Sequence, residues 1–299
     1  MKHNETLVIY PGFSESRGFR MRIYESEVVF HHRDFFEHKH SDFEISYILS
    51  GGGIYRLRDG VCEFRAGDVF VFGTNQVHCI TDTVEEEPTV LLNLQFEPRM
   101  IWSPFSNLLD ENYRKLFNGK CEKLMLDSEV ASFVTERLLS IRREAIERKA
   151  GYQILLRAYL CEIIGGLVRD MGIEIVEERR DSRRESLICL DRAMTYINEN
   201  LDKPLTLEAI ARHAGFSRTY FSTLFSSFNG LSPWEYITIR RIEQSKELLR
   251  DTEYSVLEVA SRCGFSNLSH FNRKFSCIAG MPPLAYRKKE KSKYSIDSP

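Results

Sequence analysis

Two stretches of this 299-residue chain repeat each other. TLEAIARHAGFS (206–217) and SVLEVASRCGFS (255–266) align without gaps at an offset of 49, sharing Ala211/Ala260, Gly215/Gly264, Phe216/Phe265 and Ser217/Ser266. One inserted residue moves the offset to 50, and Phe221/Phe271, Phe225/Phe275, Gly230/Gly280, Pro233/Pro283 and Tyr236/Tyr286 then match. Two copies of a unit of roughly 30 residues are too few for a solenoid, so the unit itself carries the meaning.

Each unit reads as helix, tight turn, helix. Thr206 and Ser255 are placed to cap the first helix through a side-chain oxygen, and Ser255 with Glu258 makes a capping box. Leu207, Ile210, Ala211 and Ala214 form its inner face in copy one; Val256, Val259, Ala260 and Cys263 do so in copy two. Gly215 and Gly264 stand where the chain must leave the helix through a left-handed conformation. Ser217, and Ser266 or Asn267, then cap the second helix. Its buried face is Phe221, Leu224, Phe225 and Phe228 in one copy and Leu268, Phe271, Phe275 and Ile278 in the other. This is a helix-turn-helix, whose second helix can enter a DNA major groove. The outward faces left over are polar and nearly free of carboxylates: Arg218, Thr219, Ser222, Thr223, Ser226 and Ser227, then Ser269, His270, Asn272, Arg273, Lys274 and Ser276. Such side chains pair with base edges and phosphates. One solvated helix face of this kind means little; two in register favour nucleic acid.

PWEYITIRRIEQSKELLR (233–250) has Pro at its start and no later breaker, so it reads as a single helix joining the units. At 1.5 Å per residue such a helix spans about 27 Å. That approaches the ~34 Å between successive major-groove segments on one face of B-DNA, and a modest bend closes the gap.

The net charge of −2 argues superficially against a nucleic-acid partner. From residue 186 onward, however, 16 Lys and Arg face 12 Asp and Glu (+4), whereas residues 1–185 carry 25 against 31 (−6). Residues 20–100 hold short β-rich runs (EISYIL, GIYRLR, VCEFRA, DVFVFG, TVLLNLQF) separated by Gly, Asp, Asn and Pro, the pattern of a sandwich or small barrel. Segments 128–149 and 151–170 have helical spacing and could cover the barrel or present a dimer surface. EERRDSRRES (177–186) reads as a solvated linker. Seven cysteines without a C-x-x-C pair, no secretory signal and no long apolar run point to a reduced, cytoplasmic compartment and no membrane. A P-loop, a dinucleotide fingerprint and a nucleophile triad are absent, so an enzyme is not expected.

Residues 187–288 resemble the double helix-turn-helix domain of the AraC/XylS family of bacterial transcription regulators. The resemblance rests on Leu205-Thr206-Leu207, Ala211, Gly215-Phe216-Ser217, Phe221, Leu224-Phe225, Gly230, Tyr236, Arg241-Ile242 and Leu248-Leu249. It continues through Val259-Ala260, Gly264-Phe265-Ser266, Phe271, Phe275, Gly280 and Pro283-Leu284-Ala285-Tyr286-Arg287, about a third of the chain. It implies a regulator, most often an activator, that binds promoter DNA and contacts RNA polymerase. By position it gives base contacts to Thr219, Ser222, Thr223, Ser269, His270 and Arg273, with Arg218 near phosphate. Arg273 is the foremost candidate because Arg can bond guanine O6 and N7 together. The family usually has Lys after the final Phe of each recognition helix; here Ser226 and Ser276 stand there, with Lys274 as the nearest compensation. A shallower salt dependence and greater reliance on a homodimer follow.

His38-Lys39-His40-Ser41-Asp42-Phe43-Glu44, followed by Gly51, Gly67-Asp68 and His78, resembles the two signature motifs of the cupin barrel, a common sensor domain in this family. His32 replaces an expected Gly and Gly73 an expected Pro. In cupin enzymes the positions of His38, His40, Glu44 and His78 hold a transition metal. In sensor cupins the same region binds a small polar effector, commonly a sugar, without metal. A third option leaves the histidines as strand-end residues with local hydrogen bonds. The expected effector contacts are His38, His40, Glu44, Tyr55 and His78, with Arg58 and Phe96 as further candidates; no cofactor is expected. Residues 1–19 read as an arm over the pocket or a disordered end. The expected fold is α+β in two domains: a cupin-like β-barrel with a helical pair (1–172), a charged linker (173–186), an all-α domain with two helix-turn-helix motifs (187–290) and a flexible tail (291–299). The expected function is a DNA-binding regulator answering a sugar-like effector. A metal-binding cupin enzyme or metal sensor fused to a DNA-binding domain is the alternative, and a constitutive regulator whose barrel only folds and dimerises is a third.

Overall fold

The computed structural model describes residues 7–10, 21–28, 37–84, 87–100, 116–117, 122–124, 128–172 and 180–294. The N-terminal half is built on two antiparallel sheets. The larger runs in the order β1 (Leu7–Tyr10), β2 (Met21–Val28), β8 (Thr89–Phe96), β3 (Phe43–Ser50), β6 (Val69–Phe72), β9 (Glu122–Leu124). The smaller orders β5 (Gly60–Arg65), β4 (Gly52–Leu57), β7 (His78–Thr83). Successive side chains of a strand point to opposite faces, and the central strands use this fully. One face carries Ile23, Phe43, Ile45, Leu92, Leu94 and Phe96, all buried. It packs on Val134, Leu138 and Ile141 of α1 (Glu129–Glu147) and Leu156, Leu160 and Ile163 of α2 (Tyr152–Asp170). The other face is polar: the register sets Arg22 beside Gln95 beside Glu44, and Tyr24 beside Asn93 beside Ser46. Between the sheets, Ile48, Tyr55, Phe64, Phe70, Phe72 and Leu91 form a separate apolar cluster.

The C-terminal half is helical: α3 (Arg180–Glu199), α4 (Leu207–His213), α5 (Arg218–Asn229), α6 (Pro233–Asp251), α7 (Val256–Arg262), α8 (Leu268–Ala279) and α9 (Pro283–Tyr294). Each expected start is chemically marked. Thr206, Ser217, Ser232 and Ser255 accept a backbone N–H from the first helical turn, and Ser255 closes its capping box with Glu258. Asn267, rather than Ser266, caps α8. The two units do not share one core. The first packs with α3 and the sensor sheet in a continuous cluster, while the second surrounds Phe271, Phe275, Val259 and Ile242 in its own.

Several expectations change. Residues 180–186, read as linker, are the first turns of α3; the charged run contains no Gly or Pro, so nothing in it breaks a helix. Residues 291–294, assigned to the tail, continue α9. Leu268, expected on the buried face, is the first residue of α8 and is exposed, because the helix only reaches its core a turn later at Phe271. The rest of the linker (173–179) and tail (295–299), and the N-terminal arm apart from β1, lie outside the described residues.

The turn glycines of the two units are not equivalent. Both have φ of +77°, but a Cβ on Gly215 would meet open space, whereas one on Gly264 would lie 2.2 Å from the Leu201 carbonyl oxygen. Gly264 is where the second unit closes on the end of α3. Gly215→Ala is expected to cost about 1–2 kcal/mol, the left-handed penalty alone. Gly264→Ala is expected to cost at least twice as much because backbone must also shift. Denaturant unfolding of both variants checks this; equal losses would contradict it.

Candidate functional site

A cavity of about 350 Å³ opens on the polar face of the large sheet. Its floor is the row just described: Arg22, Tyr24, Glu44, Asn93 and Gln95. Its opposite wall comes from the helical half, with Lys246 and Arg250 of α6 and Tyr286 and Lys289 of α9. Glu44 is the hub. Its Oε2 accepts from Gln95 Nε2 at 2.7 Å and from His40 Nε2 at 2.7 Å, and its Oε1 accepts from Ser46 Oγ at 2.9 Å. The His40 Nδ1–H donates to the Asp42 carbonyl at 2.9 Å. A ring bonded at one nitrogen to a carbonyl and at the other to a carboxylate carries both protons. Burial works against charging either group, yet their mutual hydrogen bond and attraction win: His40 is raised and Glu44 is held well below the usual carboxylate range. His78 differs. Its Nδ1–H donates to the Gln76 carbonyl at 3.1 Å, and burial lowers its pKa, so Nε2 presents a bare lone pair.

All five expected effector residues, His38, His40, Glu44, Tyr55 and His78, line this one cavity. Two further candidates do not. Phe96 lies on the apolar face against the helices, one step out of phase with Gln95, and Arg58 sits in the turn between β4 and β5. Arg22, Asn93 and Gln95 were missed. The signal was present in TVLLNLQF, where two amides alternate within an otherwise apolar strand.

On the helical side the expected DNA face is available. Arg218, Thr219 and Thr223 of α5 and Ser269, His270 and Arg273 of α8 are exposed, while Ser222 and Lys274 are half-buried. Arg218 pairs with Glu208 at 2.8 Å, an exposed contact that a phosphate could replace at little cost.

The AraC-like ligand binding domain matches residues 24–185, more than half of the chain, and a helix-turn-helix domain matches residues 210–289. The chain belongs to the AraC family of transcriptional regulators. Its relatives include the melibiose operon regulatory protein of Escherichia coli, 24% identical over 84% of this chain and 83% of that protein. The Msm operon regulatory protein of Streptococcus mutans is also 24% identical, over 83% and 84%. Among solved structures, ToxT of Vibrio cholerae has the same fold, with TM-score 0.59 at 16% identity over 91% of this chain and 98% of that one. A fatty-acid-bound ToxT structure matches with TM-score 0.56 at 15% identity over 96% and 97%. The protein is thus a DNA-binding transcriptional regulator with a ligand-binding domain, related to other transcriptional regulators. No helix among the described residues is long and apolar enough to cross a membrane.

In this AraC-family chain the two halves are joined by buried charge. Glu97, at the end of β8, pairs with Arg99 and, at 3.0 Å, with Arg240 of α6. Arg99 also bonds Thr195 of α3 at 3.1 Å, and Arg240 bonds Asn198 of α3 at 3.0 Å and Glu243 at 3.2 Å. Glu97 and Arg99 are each 1% exposed. Glu97→Gln leaves two buried guanidinium groups without their shared carboxylate, and a loss of about 3–5 kcal/mol is expected. Urea unfolding followed by tryptophan fluorescence measures it; a loss below about 1 kcal/mol would show that the pair does not hold the seam.

Proposed function

We propose that this regulator activates sugar-utilisation genes as a homodimer. A sugar or sugar derivative enters the cavity and changes how the DNA-binding half is held. The division of labour is a sensor over 1–172 and a DNA reader over 187–290, acting in the cytoplasm with RNA polymerase as the partner at the promoter. The observation that carries this is the cavity's double wall: the sensor supplies the polar floor and the reader supplies the roof. A ligand there has differential contacts with closed and open arrangements, which is what a ligand needs to shift such an equilibrium. The floor offers donors and acceptors in a row, suited to hydroxyl groups. One ToxT structure holds an unsaturated fatty acid, but the floor of this cavity, with Glu44, Asn93 and Gln95, is polar and matches hydroxyl groups better than an acyl chain. Two relatives are named as operon regulators, one for melibiose. Exposed Ile146, Ile154 and Leu155 on the helical pair give the dimer an apolar surface.

DNA binding to the cognate promoter fragment, titrated with a panel of sugars and sugar acids, tests the reading. An active sugar should shift binding or transcription, and Gln95→Leu should weaken that response at least tenfold. If no member of the panel changes either, the reading fails. Arg273→Ala should cost roughly 1–3 kcal/mol in specific affinity and relax preference at one base pair, whereas Arg218→Ala should weaken all sequences alike and flatten the salt slope by about one.

A further inference from the structure

The floor of the cavity changes character along its length. Strands β2, β8 and β3 pair in register, so their cavity-side residues stand in rows. The first row is Arg22, Gln95 and Glu44, the second Tyr24, Asn93 and Ser46, and the third Ser26, Leu91 and Ile48. Val28 stands one step further along β2. Four alternate residues of β2, from Arg22 to Val28, line the cavity, so it runs about 20 Å along the strand.

Polarity falls along that run. In the first row Arg22 Nη2 donates to Gln95 Oε1 at 3.1 Å, and Gln95 Nε2 donates to Glu44 Oε2 at 2.7 Å. In the second, Asn93 Nδ2 donates across to Ser26 Oγ at 3.1 Å. The third row is hydrocarbon at two of its three positions, and Val28 continues it. Val28 and Ile80 of β7 are half-buried and pack on the apolar cluster that holds Ile48, Leu91 and Tyr55. Val28, Ile80, Leu91 and Tyr55 all line the cavity. The reader covers the opposite, polar end. Ser41 N–H and Oγ–H donate to Glu243 Oε1 at 3.3 and 3.4 Å, which sets α6 over the start of β3, where Glu44 stands.

We infer that the effector is a glycoside with an apolar aglycone, its sugar ring on the first two rows beneath α6 and its aglycone along Leu91, Val28 and Ile80. This rests on the reading of the cavity as a sugar site and names the class of sugar that it takes. Adjacent rows stand about 7 Å apart, the reach of one sugar ring. A free monosaccharide therefore leaves the apolar end in water. A second sugar ring would press hydroxyl groups against Leu91, Val28 and Ile80, and hydroxyls buried without partners are costly. An apolar aglycone takes that wall out of water instead.

Isothermal titration calorimetry on the full-length chain tests this. For glucose, galactose, mannose and xylose in both anomers, the probes are the free sugar, the methyl glycoside, the phenyl glycoside and a disaccharide with the same non-reducing ring. For the sugar that binds, the phenyl glycoside should bind roughly tenfold tighter than the methyl glycoside, because its ring leaves water for an apolar wall. It should also bind tighter than the disaccharide. Val28→Thr and Ile80→Thr each keep a branched side chain in a strand and replace a hydrocarbon group by a hydroxyl. Each should lower the phenyl-to-methyl ratio to roughly a third. Circular dichroism checks that both variants fold, and either one alone suffices. Equal affinity for phenyl and methyl glycosides, a preferred disaccharide, or a ratio that both substitutions leave unchanged overturns the aglycone and leaves the sugar site standing. If no sugar or glycoside binds, the sugar reading falls and the aglycone falls with it.

Discussion

The carboxylate of Glu97 is buried, with two guanidinium groups beside it. Removing charges from water is costly, and only close opposite charges and further hydrogen bonds offset it. Here those partners come from three places: Arg99 from the sensor, Thr195, Asn198 and Asp191 from α3, and Arg240 from the reader. A buried charge cluster shared in this way fixes relative position more than it adds stability. A small rotation of the reader would strand a charge, so the seam tolerates few arrangements. Burial and the neighbouring Glu97 carboxylate also push the Tyr236 hydroxyl up to about 12, so this phenol stays neutral in the cluster.

The sensor residues that line the cavity lie on one side of the large sheet. The alternation of β2, β3 and β8 sends apolar side chains to the helical pair and polar ones to the cavity. Helices α1 and α2 therefore do more than close a core: they take one face of the sheet out of solvent and leave the other to face the reader. The cavity and the charge cluster meet along this interface at Glu243, which lines the one and pairs with Arg240 of the other.

Much of this was legible in the residues. The repeat located both helix-turn-helix units, and the caps at Thr206, Ser217 and Ser255 formed as their side chains predict, because capping is settled within four residues. Gly215 and Gly264 took the left-handed conformation for the same local reason. The errors are also local in origin. A charged run was taken for a linker although nothing in it opposes a helix, and Leu268 was assigned to a core that its helix reaches only a turn later. Phe96 was a further pocket candidate whose facing the sequence left open, because facing is a property of register and one residue of phase separates it from Gln95.

The sequence by itself determined the helix-turn-helix pair and its polar outward faces, since each depends on spacing of a few residues; that His78 joins His38, His40 and Glu44 was implied by the resemblance to the cupin motifs. Only the tertiary structure decided that the cavity has a roof. Lys246, Arg250 and Tyr286 belong by sequence to the DNA-binding half, and nothing in their spacing shows that they face a sensor strand some two hundred residues away. Contacts across that distance depend on how buried charge and apolar surface are shared between the halves, and no short-range pattern encodes it.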